Sequence, residues 1–362
     1  MSKKYKILTL GASYGSLLAT KMVLGGHDVT MVCLPVEAEA FNKNGARIRI
    51  GIKGREGLVE IDSRTAPGKL DAAVPSAVNP ADYDLIALAM QEPQYRSPGV
   101  RELLDAVAKS KKPCMSIMNM PPLPYVARIP GISTNACRVA YTDASVWDSF
   151  DPKFMTLCSP DPQAFRPPEE PVNVLQVRLP TNFKAARFDS PAHTAILRTI
   201  EADIDAVRVQ IKGEPERGLV ELPVKLKVHE SVFVPLAKWS MLLAGNYRCI
   251  TRDGMRPIKE AVHSNIAASR AIYAWVAELC IKLGAEEKDL VPFEKYANAA
   301  LGLGSPSSAA RALYSGAQNI ERVDLLVQTL ARQKGMSSPV LDEVVSLVNA
   351  KLTENRRAAA KG

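Results

Sequence analysis

Three stretches of this chain hold residues whose types and spacing could do chemistry. Lys238 stands in "VFVPLAKWSMLLAG" with no other charge for several residues each way. A lysine drawn partly out of water gives up its proton more readily. It can act as an acid near neutral pH and set positive charge where an oxygen becomes negative. A surface lysine that lays its stem on apolar neighbours fits the same pattern. Asn119 closes "PCMSIMN", at the end of a parallel-type strand, where such sheets bind ligands; an asparagine before Pro-Pro also starts a turn. The third stretch is Gly11-Ala12-Ser13-Tyr14-Gly15-Ser16, between a short apolar run and an amphipathic one.

That is where a dinucleotide-binding protein carries Gly-x-Gly-x-x-Gly. Gly11 can make the sharp turn out of the strand and Gly15 the close helix packing, while Ser13 stands near the missing middle glycine. The N–H groups of Tyr14, Gly15 and Ser16 can face phosphates, and the hydroxyls of Ser13 and Ser16 can add contacts. A tight turn without a ligand fits the same six residues. The end of the second strand, "VTMVCLPVEAE", has neither the acid that suits NAD nor the arginine that suits NADP; Glu37 arrives late, and Lys43 and Arg47 later still.

The elements that must position these residues read as an α/β protein. "YKILTL", "HDVTMVCL", "YDLIALAM" and "PCMSIMN" read as buried strands, and "SLLATKMVLGG" and "GVRELLDAVAKS" as helices between them. "ARIRI" and "LVEI" read as short strands or a hairpin. The alternation predicts a Rossmann-type, doubly wound parallel sheet followed by an all-helical domain. From about 120 to 225 prolines cluster and the pattern loosens, with one strand in "VNVLQVRL" and one helix in "PAHTAILRTIEADI". After about 226 the patterns are long and helical, with almost no strand signal. The expected domains are a dinucleotide-binding one over residues 1–225 with loop-rich insertions, a helical substrate and dimerisation domain over 226–355, and a frayed tail over 356–362.

Composition narrows the function classes. The 362 residues are 47% hydrophobic and 23% charged, an ordinary globular balance with room for two cores. The six cysteines, at 33, 114, 137, 158, 249 and 280, form no Cys-x-x-Cys pair. They read as free, mostly buried thiols in a reducing cytoplasm, with no metal site. The net charge of +8 is spread among acidic residues without long basic runs, so it reads as a surface that draws in anionic ligands and not as a nucleic-acid binder. The basic, apolar, small-residue start has the outline of a signal peptide, but a turn breaks it within five residues. No apolar run reaches membrane-spanning length. A soluble, cytoplasmic protein is expected.

Taken together, these stretches resemble the ketopantoate reductase (2-dehydropantoate 2-reductase) family, in order and over most of the chain. "ILTLGASYGSLLATKMVLGGHDVTMV" is similar to that family's first βαβ unit, with His27 in a structural place, and "NKNGARI" is similar to the family's next stretch. "CMSIMNMPPL" aligns a family asparagine with Asn119. "LAKWSMLLAGNY" resembles the helix that carries the catalytic lysine and, eight residues on, an asparagine, here Lys238 and Asn246. "SPSSAARAL" and "NIERVDLL" place Ser308 and, with a one-residue insertion, Glu321; Arg322 and Asp324 are competing alignments. "ARQKGMSSPVLDEVVSLV" closes the chain as the family does.

The resemblance implies reduction of a ketone beside a carboxylate, with NADPH in preference to NADH and no metal. Lys238 would donate the proton, and Glu321 would hold the substrate or orient Lys238. Gly11, Ser13, Tyr14, Gly15, Ser16, Met90, Gln91 and Asn119 would meet the cofactor. Asn246, Ser308 and Arg311 would meet the substrate, a small keto or hydroxy acid. A homodimer through the apolar helical domain is expected. The departures are the lost middle glycine, Leu34 for the arginine ending strand two, Met90 or Gln91 for a lysine, Met120 for a glycine, Leu242 for an asparagine and Ala312 for an aspartate. Two alternatives stay open. One is opine-dehydrogenase-like condensation of a keto acid and an amino acid through a His–Asp pair drawn from His193, His229 or His263. The other is a relative that binds a nucleotide or ligand without turnover.

Overall fold

A computed structural model describes residues 3–211 and 218–361. Its strands, in chain order, are β1 (Lys6–Leu10), β2 (Asp28–Val32), β3 (Arg47–Ile50), β4 (Val59–Asp62), β5 (Leu70–Ala73), β6 (Leu85–Leu88), β7 (Cys114–Ile117), β8 (Met155–Ser159), β9 (Gln163–Phe165), β10 (Val174–Leu179), β11 (Phe183–Ala186), β12 (Arg208–Gln210), β13 (Leu219–Glu221) and β14 (Leu226–His229). The chain divides into two compact units. The first takes Met1–Met90, Ser97–Met118 and Ser149–Glu230; the second takes Gln91–Arg96, Asn119–Asp148 and Ser231–Gly362.

The first unit is built on an eight-stranded sheet among the described residues, ordered β14-β11-β8-β7-β6-β1-β2-β5. From β5 to β8 every pairing is parallel, and β11 turns antiparallel against β8. This is the doubly wound order expected from the alternating pattern, with the switch of direction at β1, between β2 and β6. Strands β6 and β7 are buried at every position, which explains the unbroken apolar run of β6 and the nearly apolar run of β7, where Ser116 is the polar residue. The β3–β4 hairpin forms as read, and β10 joins β3 in parallel to make a second sheet ordered β4-β3-β10-β9.

The helix Gly15–Leu24 is buried along nearly its whole length. Behind it His27, fully buried, accepts from the Tyr5 amide at 3.3 Å and faces Asp203 at 3.3 Å. Burial lowers its pKa, so it serves as a neutral structural histidine. All six cysteines are free and five are buried. No helix among the described residues is long and apolar enough to cross a membrane.

The second unit is helical. Its longest members are Ile266–Leu283, capped by Asn265, and Pro339–Ala359, capped by Ser338. Three expectations need correction. Residues 119–148 lie in this unit rather than in the insertions of the first, because local anchors tie them to it. Tyr125 donates to the Val232 carbonyl at 2.5 Å, and the Ser133 amide donates to Gln333 at 2.7 Å. Beyond residue 226 a strand does occur: β14 pairs with β11. The last helix runs on into the expected frayed tail as far as Ala359, and Arg356 donates to the Gln318 carbonyl at 2.9 Å. Residues 1, 2, 212–217 and 362 of the expected domains lie outside the described residues.

Candidate active site

The glycine loop shows why its two glycines are needed. Gly11 has φ +101°, and a Cβ there would meet the Ala89 carbonyl oxygen at 2.7 Å and Met90 Cγ at 2.6 Å. The turn out of β1 therefore lies directly on the end of β6, at the switch point of the sheet. A Cβ on Gly15 would meet Thr9 Cγ2 at 2.7 Å, so the helix packs on the sheet at glycine distance. Ser13 is exposed at the turn, and Ser16 is buried and donates to the Ser13 carbonyl at 3.2 Å. Tyr14 turns its side chain inward. Its hydroxyl donates to the carbonyls of Pro160 and Pro162, and its ring stands edge-on to Phe183. Only its main chain is left to the loop. Of the pair expected after β6, Met90 closes on Gly11 and the exposed Gln91 donates its amide to Gln94 at 2.9 Å.

In the second unit, the residues drawn from three distant stretches of sequence meet. Glu321 accepts from the Glu92 main-chain amide at 3.4 Å and from Asn119 Nδ2 at 3.5 Å. Tyr247, buried beside Asn246, donates its hydroxyl to the Glu321 carbonyl at 2.5 Å and accepts from the Val323 amide at 3.0 Å. The loop bearing Glu321 is thus held at backbone and side chain. Burial is the largest influence on its carboxyl and lifts its pKa to about 7; the Glu92 charge adds to the rise, while the two hydrogen bonds and the nearby positive charge of Lys238 oppose it. Glu92 is buried too, and its carboxylate accepts from the Thr142 amide at 2.9 Å and hydroxyl at 2.8 Å. Burial raises its pKa as well. Asn119 Oδ1 is buried with no hydrogen-bond partner among the described residues.

The lysine helix is not one regular helix. Lys238–Met241 is α-helical, Leu242–Asn246 is a π turn and Tyr247–Cys249 is 3₁₀. The cause is local. Gly245 has no side chain, and the Tyr296 hydroxyl fills that place and donates to the Met241 carbonyl at 3.0 Å. An inserted side chain of this kind loosens the i→i−4 ladder, and such turns recur at functional sites. Sequence spacing at 3.6 residues per turn does not anticipate how Asn246 and Tyr247 are aimed relative to Lys238.

The substrate-side expectations fare unevenly. Asn246 is half-buried, and its carbonyl accepts from Ser307 at 2.6 Å. Ser307 also caps the helix Ser308–Tyr314, so it, not the exposed Ser308, is the packed serine. Arg311 is exposed and donates to the Pro306 carbonyl at 2.6 Å. No hydrogen bond among the described residues joins Ser308 or Arg311 to Glu321. Arg322 and Asp324, the competing alignments for Glu321, form a buried bidentate pair, with Arg322 also donating to Asn349 at 2.8 Å. Their structural role is complete. Sequence reading missed Glu92, Thr142 and Tyr247. Only the first left a signal, an acid four residues past a buried strand that ends at Leu88.

Of the histidines named for the opine alternative, His193 and His229 belong to the first unit, and His263 is engaged with the Ala297 carbonyl at 2.9 Å. The His–Asp contact of His27 with Asp203 lies in the first unit, against the first βαβ element. Among the described residues no group of three or more His, Cys, Asp or Glu could hold a metal ion.

No family model matches the chain, and no curated protein matches it. Solved structures do. A protein assigned as a ketopantoate reductase from Ralstonia solanacearum superposes with a TM-score of 0.65 at 12% identity, over 98% of this chain and 99% of that one. A 2-dehydropantoate 2-reductase from Methylococcus capsulatus gives 0.63 at 15% identity, over 97% of each chain. A PanE/ApbA family ketopantoate reductase from Ralstonia eutropha gives 0.61 at 15% identity, over 97% and 99%. The chain therefore has the fold of these proteins from end to end: a Rossmann-type sheet domain with a helical C-terminal domain. The resemblance read from the sequence holds at the level of the fold.

Proposed function

We propose that this chain is an NAD(P)H-dependent reductase that converts a small 2-keto carboxylic acid to the 2-hydroxy acid. The observation that carries the reading is Glu321: a carboxyl held by the Glu92 amide and Asn119, with a pKa near neutrality and the charge of Lys238 close by. Perturbed, buried titratable groups brought together from distant stretches are a mark of active sites. The fold shared with solved ketopantoate reductases supports the same class.

The residues present fit a dinucleotide. The Gly11 turn leaves no room for a side chain, and the helix Gly15–Leu24 begins directly after it, where free N–H groups meet phosphate. Gly11, Ser13, Gly15, Ser16 and the Tyr14 main chain would hold it, with Met90, Gln91 and Asn119, and NADPH in preference to NADH. A reduced nicotinamide, when bound, supplies the hydride. Lys238 gives a proton to the carbonyl oxygen as negative charge builds there, so a C–H and an O–H bond form and the C=O π bond breaks. Glu321 orients the Lys238 ammonium and, with a pKa near 7, can return a proton to it after the step. Asn246 binds the substrate's oxygens; Ser308 and Arg311 would meet its carboxylate, Arg311 by exchanging the Pro306 carbonyl for it.

The test is purified protein with NADPH or NADH and a panel of 2-keto acids, followed by loss of nicotinamide absorbance. Turnover of at least one keto acid without added amino acid is expected. Turnover only with an amino acid present moves the reading to opine chemistry. No binding of either nucleotide overturns it.

A further inference from the structure

The end of β2 holds an ion pair that neither strand nor helix required. Glu37, in the first turn of the helix Pro35–Asn44, caps that helix by accepting from the Leu34 amide at 3.1 Å. It also pairs with Arg166. Arg166 comes from far along the chain, in the residue after β9, and its guanidinium lies over the Phe41 ring at 6.0 Å. The two side chains keep only 22% and 14% of their exposure, so this is not a loose surface contact. Arg166 Nη2 is buried with no hydrogen-bond partner among the described residues. A charged donor left without an acceptor is costly, so an acceptor brought to it would recover that cost.

The place matters. Val32, the last residue of β2, accepts from the Gly11 amide at 2.9 Å, so the end of β2 and the glycine turn share the carboxyl edge of the sheet. Cys33, next after β2, feels both charges: its pKa, pushed up to about 12 by burial and by Glu37, is drawn back by Arg166. In a dinucleotide-binding sheet this position meets the adenosine ribose, through an acid if the 2′-OH is free or an arginine if it is phosphorylated. Here Leu34 stands 65% exposed and offers no charge.

Resting on the reading that the glycine turn holds a nicotinamide nucleotide, we propose that Arg166 is the residue that reads the 2′-phosphate of NADPH, with Glu37 as its resting counter-ion. A guanidinium fork matches phosphate geometry and gains two charge-assisted hydrogen bonds. Glu37 holds the fork in place until the phosphate takes it over. Glu37 is also the acceptor for a free 2′-OH, so the pair ranks the two nucleotides.

The test is equilibrium binding, read by nucleotide fluorescence and calorimetry and needing no turnover. Wild-type protein should bind NADPH at least ten-fold tighter than NADH, and adenosine 2′,5′-bisphosphate tighter than 5′-AMP. Arg166→Gln should lose ten-fold or more for NADPH and the bisphosphate and stay within about three-fold for NADH and 5′-AMP. Glu37→Gln keeps an acceptor for the Leu34 amide, frees the fork and should tighten NADPH while weakening NADH; it stands as the readout if Arg166→Gln melts at the assay temperature. Equal loss of both nucleotides in Arg166→Gln, or NADH bound by the wild type as tightly as NADPH, overturns the assignment to Arg166 while leaving the reductase reading intact. Failure of the folded wild type to bind either nucleotide overturns the reductase reading itself.

Discussion

Tyr247 and Glu321 are joined through the main chain: the buried phenol donates to the Glu321 carbonyl at 2.5 Å and accepts from the Val323 amide at 3.0 Å. One side chain thus clamps both sides of the turn that presents the carboxyl. Tyr247→Phe takes that partner from the half-buried Glu321 carbonyl and the buried Val323 amide, which costs about 1–3 kcal/mol. It is expected to lower the urea midpoint and to reduce kcat more than nucleotide affinity. An unchanged kcat would show that the clamp does not position Glu321.

Lys238 is the proposed acid. Lys238→Ala is expected to lower kcat about 10²–10⁴-fold and to leave NADPH affinity within about two-fold. Lys238→Arg should not restore turnover, because a guanidinium holds its proton too tightly. Full activity in either variant refutes the role.

Glu321 carries a pH signature in stability. Its folded pKa of about 7 lies above the ordinary value of 4.5, so the folded state holds a proton that the unfolded chain releases between those values. Stability contributed by this group is present below about pH 4.5 and lost as pH rises toward 7. Glu321→Gln removes the penalty of charging a buried carboxyl, of order 1–3 kcal/mol. The variant should be more stable than wild type at pH 8, no more stable at pH 4.5, and less active. Urea melts at the two pH values decide it; a variant less stable at both would be at odds with the raised pKa.

Gly11→Ala meets a positive φ and backbone atoms that cannot move aside. A loss of about 1–3 kcal/mol is expected, with weakened binding of both nucleotides. Calorimetric melting with and without NADPH measures both. Stability equal to wild type would mean that the turn relaxes.

Asp324→Ala strands the buried Arg322 and should cost about 3–5 kcal/mol, with little change in nucleotide affinity of whatever protein remains folded. The double variant Arg322→Met with Asp324→Leu should recover most of that loss, since it leaves no buried charge. A thermal melt that falls further in the double variant than in the single one would contradict the pair's purely structural role.

Much of the first unit was legible because its signals are local. β1, the helix after it, β2, β6 and β7 are each largely apolar, and Gly11 and Gly15 stand where a turn and a close packing need them. The second unit was legible only as helices. The periodicity of "ESVFVPLAKWSMLLAGNY" continues across a π turn that Tyr296, some fifty residues away, imposes through Gly245. Prolines made 119–148 look like insertion loops, yet Tyr125 and Ser133 bind it to residues more than a hundred positions on.

By itself the sequence determined the alternation of strands and helices and the glycine turn, since each rests on periodicity or residue type within a few neighbours; Lys238 and Asn119 stood out by their local setting, and Glu321 only through the family resemblance. Only the tertiary structure decided that Glu92 and Asn119 both reach Glu321, that Tyr14 and Arg311 are engaged elsewhere, and that Arg166 stands at the end of β2. Those pairings join residues as far as 229 positions apart. They are set by how sheets and helices pack, which no local pattern encodes.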